Sequence, residues 1–439
     1  MYQIVRDKPQ WPLVAGSFGI FLWAASAWSS IAGAYFGLLF MLIGFIAQGS
    51  AALKVLSQQA WFYWWIGLSL LVVIRSLIAL PWVPEEYLAE HQESLIGFIK
   101  WLVFVPILAW WFAKANRSFY WILTLALVGF IFKRFYELEL EMLAGQGRPG
   151  LGFMPNALGL YSGIGLVGLL VSIPAALNTQ WHRYTKTLAI IAITLGIISL
   201  TLFLYLCKTR SILIGLILVT PFIGIYLKYS LSSIFKNNLV SIMIVAVIAT
   251  SASVGGYAIL EKRSDKIGSD ITNLLNGQWD EISDRNSQIR LKLLRQGFAT
   301  WQERPWLGWG ADGSEQTLMQ QSNQTQLLEI TQHHNIVIEW LVRFGIVGSL
   351  LFWGWIAAHF MIIIQAYRKS LVPPDTIAFL VCAWTLFLFV AQFEYRLTEH
   401  DWRFLLYLLQ GITLSIPIRE ALKKRPQQVN AATSRSDAP

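Results

Sequence analysis

Apolar runs close to the roughly 20 residues needed to cross a bilayer recur along almost the whole chain. Twelve can be marked, at about 12–29, 31–48, 61–80, 95–113, 118–132, 155–177, 187–206, 211–227, 239–259, 344–365, 376–393 and 404–418. Inside hydrocarbon a backbone must satisfy its own polar groups, and segments of this length do so as helices. The expectation is therefore an all-α integral membrane protein with about twelve transmembrane helices. Composition agrees, since 55% of the residues are hydrophobic and 13% charged, against about 25% charged in soluble domains. Met1–Gln10 is polar and mildly basic, and the apolar stretch after it runs straight into the next. No cleavable signal peptide is evident, and this stretch reads as a retained span. The 21 Trp and 15 Tyr suit belts at the two interfaces.

Orientation follows from Lys and Arg in the short loops. With the N-terminus inside, the cytoplasmic segments carry sixteen basic residues, from Arg6 and Lys8 to Arg425 and Arg435. Against them stand four acids, Asp7, Asp375, Glu420 and Asp437. Both termini therefore read as cytoplasmic. The net charge of +9 is largely this topology signal, so nucleic acid is not an expected partner. The chain divides into nine spans over 1–259, an outside loop over 260–335 and three spans over 336–418. A cytoplasmic tail over 419–439 follows, polar and expected to be disordered. Cys207 and Cys382, the two cysteines, are widely separated and are expected as packed thiols.

A loop the size of 260–335 without a structural task is uncommon. Within it, Asn286–Phe298 reads as an amphipathic helix with Ile289, Leu293 and Leu294 near one face, suited to lie along the outer membrane surface. Cations gather at the same boundary. Lys208 and Arg210 belong to a turn between two spans that contains no acid, and Arg290, Lys292 and Arg295 stand on the loop helix. Arginine suits bidentate phosphate contacts, and a pyrophosphate would want two or three such cations. The plainer alternative pairs these arginines with loop carboxylates such as Glu281 or Asp284. Arg75 falls inside a span, where an outside glutamate is the expected partner. Lys100 can snorkel from a span end. Glu339 and Arg343 are expected to pair at four-residue spacing.

Where the loop returns to the membrane, Gln332, His333, His334 and Asn335 precede an apolar stretch that leads to Gly345 and Gly348. His334 would start a helix, with Asn335 or Thr331 as its cap. The positive end of the helix dipole favours an uncharged imidazole, able to accept a proton as a general base. Gly345 and Gly348 would let another helix approach closely. Two interfacial polar histidines remain an equally good reading of these residues alone. There is no Gly-rich phosphate loop, Cys/His metal cluster, serine nucleophile motif or acidic pair of the DxD kind. Glu394 and Asp401 flank the last outside loop at a spacing with no metal signature. Neither metal nor cofactor is expected.

His334-Asn335, nine residues and then Gly345-x-x-Gly348 resembles the His-(Asn/Ser/Gln)-x9-Gly-x-x-Gly signature of the bacterial O-antigen ligases and related O-oligosaccharyltransferases. Arg290-x3-Leu294 is similar to a second motif of that family. The stretch from Glu303 to Gly310 (ERPWLGWG) resembles its Pro-then-Gly-rich segment, and Arg210 matches a third basic position. The motifs cover roughly 210–348. The resemblance implies a GT-C-like fold in the bacterial inner membrane, with a large periplasmic loop and the active site on the periplasmic face. It implies an undecaprenyl-pyrophosphate-linked glycan as donor and a sugar hydroxyl of lipid A-core as acceptor. His334 would be the catalytic base. Arg210 and Arg290, with Arg295 and Lys208 beside them, would hold the pyrophosphate, and Asn335, Gly345, Gly348 and Leu294 would be structural. Three other readings stay open: an O-antigen polymerase, a protein O-oligosaccharyltransferase, and a transporter of lipid-linked glycans. The last would more naturally show repeats and broken helices at mid-membrane.

Overall fold

A computed structural model of the chain describes residues 10–115, 119–139, 149–178, 180, 182–232, 272–273, 276–278, 281–282, 285–322 and 332–436. Eight helices precede the outside loop: α1 Trp11–Ser26, α2 Ile31–Leu56, α3 Ala60–Ala79, α4 Leu88–Ala115, α5 Phe119–Tyr136, α6 Pro155–Asn178, α7 Arg183–Cys207 and α8 Arg210–Leu231. Two lie in the loop, α9 Arg285–Glu303 and α10 Gly313–Ser322. Three follow, α11 Ile336–Arg368, α12 Pro374–Val390 and α13 His400–Ser436. Among the described residues there is no strand, and nine helices are long and apolar enough to cross a membrane. The apolar α1 and α12 are shorter, at 16 and 17 residues. Eleven of the twelve expected segments are therefore helical where apolar length placed them. The remaining one, 239–259, and the first part of the loop lie outside the described residues.

The bundle is built around α4 and α13. Trp101 on α4 donates to Gln410 Oε1 of α13 at 2.9 Å, Tyr407 donates to the Lys100 carbonyl at 2.7 Å, and Arg419 to the Phe112 carbonyl at 3.1 Å. Such bonds matter in an apolar interior because an unmatched polar group there has no water to turn to. Around the outward half of α4, Phe98, Trp101, Trp340, Phe344 and Phe352 form an aromatic core. Trp340 and Phe352 stack at 4.2 Å. On one flank, α1 and α2 approach so closely that a Cβ on Gly37 would lie 2.5 Å from the Trp23 nitrogen, the kind of contact small residues permit between membrane helices. On the other, α6, α7, α8 and α12 pack together. Cys207 and Cys382 are buried thiols, and Cys207 donates to the Leu204 carbonyl. Helical backbone in α13 continues to Ser436, through most of the segment expected as a disordered tail.

The loop helix α9 turns its inner face to the protein. Leu293, Gly297 and Thr300 are buried, and Gly297 lies against His333 and Ile338. Gly297, without a side chain, lets α9 settle on α11. Lys100 stands 5.4 Å from the Tyr35 ring.

Candidate active site

The start of α11 is pinned on both sides of His334. Asn335 caps the helix, its Oδ1 accepting from the amides of Val337 at 3.0 Å and Ile338 at 3.1 Å. One residue before His334, the His333 backbone N–H donates to Glu339 Oε1 at 2.6 Å. Between them His334 has φ 52°, left-handed and uncommon for a residue with a side chain. A conformation that costs about 1–3 kcal/mol persists only where neighbours hold it. Here the cap and the Glu339 bond do so. Glu339 in turn receives Arg343 Nε at 2.8 Å, the pair expected from their spacing. Arg343 also donates to the Ala311 carbonyl, and its guanidinium lies 5.3 Å from the Tyr395 ring. Thr331, the other candidate cap, lies outside the described residues.

The turn between α12 and α13 brings the remaining groups to this helix end. The Ala391 carbonyl accepts from the Ile336 amide at 2.9 Å, and Asn335 Nδ2 donates to the Gln392 carbonyl at 3.2 Å. Two residues on, the buried Glu394 places Oε1 3.9 Å from His334 Nδ1, while its Oε2 accepts from Asn156 Nδ2 at 2.7 Å. Asn156 opens α6. Its neighbour Pro155 supplies the carbonyl that accepts from Thr209 Oγ1 at 3.2 Å. Thr209 sits between Lys208 and Arg210, both exposed. From α9, Arg290 lays its guanidinium 5.8 Å from the Phe393 ring, next to Glu394. The starts of α6 and α11 and one residue of α9 thus meet a single turn, and α8 joins it through Pro155. Arg295 is exposed five residues further along α9, and Leu294 is half-buried.

Sequence reasoning weighed Glu394 only as a metal ligand and passed over Asn156 and Arg396. Arg396 pairs with Asp401 at 3.4 Å, and Glu394 and Asp401 both help to hold its guanidinium protonated against burial. A lone glutamate in a short outside turn carries no signal until the fold sets it opposite a histidine sixty positions away.

The two motif glycines serve different neighbours. At Gly345 α11 kinks, with φ 65°, and a Cβ there would lie 2.3 Å from the backbone of Trp306. The loop, rather than a helix, uses this close approach. Ile346 and Val347 donate to the carbonyls of Pro305 and Trp306, and Trp309 and Gly310 donate to those of Val342 and Arg343. Backbone groups freed by the kink are satisfied by the ERPWLGWG turn. Gly348 faces α3, where a Cβ would lie 3.0 Å from Leu71. Arg75 completes the joint by donating to the carbonyls of Leu307, at 2.9 Å, and Gly308. The glutamate expected as its partner is replaced by loop carbonyls, whose lone pairs point into the helix end.

Just after this turn Asp312 is buried and Glu315 half-buried. Asp312 accepts from Ser94 Oγ at 3.2 Å. Burial pushes its carboxyl up to about 7; Arg343 opposes the rise and Glu315 adds to it. Glu315 is raised as well, first by burial. A carboxyl raised on folding stabilises the fold while protonated. Its contribution is complete below the ordinary value of 3.8 and is lost as pH climbs through about 7. Unfolding temperature should therefore fall between about pH 4 and pH 7, and Asp312→Asn should flatten that decline. An identical slope in the variant would remove Asp312 as its source.

Apolar helices surrounding a polar cluster at one end define a multi-pass membrane protein. Residues 184–353, from α7 into α11, match the family model described as O-antigen ligase, and the match supports the chain as a member of the O-antigen ligase family. The matched segment carries Lys208, Arg210, Arg290, Arg295, His334, Gly345 and Gly348, while Asn156 and Glu394 lie outside it. No curated protein matches the chain.

Proposed function

We propose that this protein is an O-antigen ligase of the bacterial inner membrane. In this reading it moves a glycan from undecaprenyl pyrophosphate to a sugar hydroxyl of lipid A-core on the periplasmic face, with both termini in the cytoplasm. The observation that carries it is the left-handed His334, held at a capped helix start with Glu394 Oε1 3.9 Å from Nδ1 and the Arg290 guanidinium 5.8 Å from the ring of the neighbouring Phe393. With Nδ1 turned to the carboxylate, Nε2 takes the proton from the acceptor hydroxyl. That oxygen attacks the anomeric carbon, the bond from this carbon to the pyrophosphate oxygen breaks, and the leaving group departs as an anion. Arg210 and Arg290, with Lys208 and Arg295 at hand, stabilise the charge that grows on it. Attack from the opposite face inverts the anomeric centre. Glu394 compensates the imidazolium, and the 3.9 Å separation suits a contact that tightens once substrate is bound.

Deleting the gene should abolish core-attached O-polysaccharide while lipid-linked polymer of normal length accumulates. Lipid-linked material reduced to single repeat units would instead mean a polymerase, and the ligase reading would fail.

A further inference from the structure

An apolar slot of about 180 Å³ lies between α5, α6, α12 and α13, away from the groups discussed so far. Leu123, Leu127, Phe130, Ile164 and Phe379 furnish its walls, and the small Gly168 leaves it room. The buried side chains of Trp28 and Tyr161 stand at one end. At the opposite end, where α5 and α12 begin, the Tyr120 hydroxyl donates to the Asp375 carboxylate at 3.1 Å and 3.3 Å. From Tyr161 to Ser172 the slot follows α6 for about 16 Å at 1.5 Å per residue, close to half of a 30 Å hydrocarbon core. Tyr120 is 48% exposed and Thr124 is exposed, so the rim opens sideways, at the end of the bundle that also carries the chain termini.

That rim is polar, and the Asp375 carboxylate lines it. Arg419 of α13 interacts electrostatically with Tyr120, and Lys369 with Glu420 beside it. An opening that is apolar within, with a phenol and a carboxylate at its mouth and the Arg419 guanidinium acting on that phenol, has the order of groups that suits a phospholipid, chain first and charged headgroup at the interface. The slot's depth equals one leaflet.

We infer that this slot binds one acyl chain of a diacyl phospholipid from the leaflet on the terminus side, with the lipid phosphate at Arg419. The site is separate from the transfer reaction and stands whether or not the chain is a ligase. Tyr161, which roofs the slot, interacts with Asp401 and Arg396. An occupied slot would therefore brace the turn that carries Glu394.

The test uses the purified full chain, exchanged into vesicles of phosphatidylethanolamine or phosphatidylglycerol, extracted, and examined by native mass spectrometry. Wild type should retain one phospholipid through delipidating washes. A Cβ on Gly168 would meet Phe379 at 3.5 Å, ordinary contact, so Gly168→Phe can enter the slot without a backbone clash. This variant, and independently Ser172→Phe should the first not fold, should retain at least about tenfold less lipid. Arg419→Gln should weaken retention by about tenfold, the loss of one charge-assisted contact. Retention of either phospholipid supports the site. Undiminished retention in a folded slot-filling variant, no retained phospholipid in wild type, or a retained polyprenyl phosphate would each overturn it.

Discussion

His334→Ala is expected to lower glycan transfer by about 10²- to 10⁴-fold, the range a positioned general base supplies. The variant should still insert and fold. His334 is 29% exposed, its ring fills no core position, and a small residue at a left-handed position costs little more than histidine itself. Loss should fall on turnover rather than on donor binding, because the cations Arg210 and Arg290 remain. Glu394→Gln should do less. An amide keeps the Asn156 contact and the shape of the turn but gives up the charge that balances an imidazolium, so a drop of about tenfold or more in turnover is expected, equal to one charge-assisted contact. In vitro transfer from a lipid-linked donor to core acceptor, with surface abundance as a folding control, checks both. Near-normal transfer by folded His334→Ala would remove the base from the mechanism.

Glu339→Ala is expected to be the most damaging single change to stability among the site's supporting residues. Glu339 and Arg343 are both buried and joined at 2.8 Å. Removing one partner of such a pair costs about 3–5 kcal/mol, because the other charge is left in an apolar setting. Arg343 would keep the Ala311 carbonyl and the influence of Asp312, neither of which replaces a carboxylate on its own helix. The His333 amide also loses its acceptor, so His334 is freed to leave the left-handed region. Activity should fall together with unfolding temperature. Glu339→Gln separates the two effects: it can still accept from His333 and should recover part of the transfer activity while leaving much of the stability loss. Thermal unfolding in detergent beside transfer assays gives both readings. An unchanged unfolding temperature in Glu339→Ala would show that the pair is not needed for the fold.

The class of fold could be read from the sequence because the signal is local. An apolar run of bilayer length becomes a helix whatever its neighbours are, so eleven segments stand where hydropathy placed them. The Asn335 cap and the Glu339–Arg343 pair were readable for the same reason, each being an interaction within four residues on one helix. Gly345 was legible as a special position, although its neighbour was not: whether a loop or a helix uses the missing Cβ depends on where residues 305–310 travel.

The groups around His334 belong to the other kind of information. Glu394, Asn156, Arg290 and the Lys208–Arg210 turn come from four separate stretches of chain, and nothing in their local patterns links them. What joins them is the packing of α6, α8, α9, α11 and α13, which sets one short turn against several helix ends. The apolar slot arises likewise, as space left over when α5, α6, α12 and α13 meet. The amino-acid order determined that the described apolar segments become helices and which charges sit near their ends, since each is decided over a few turns of chain. Which of those charges face one another was decided only by tertiary structure, because a contact between distant segments depends on every helix packed between them.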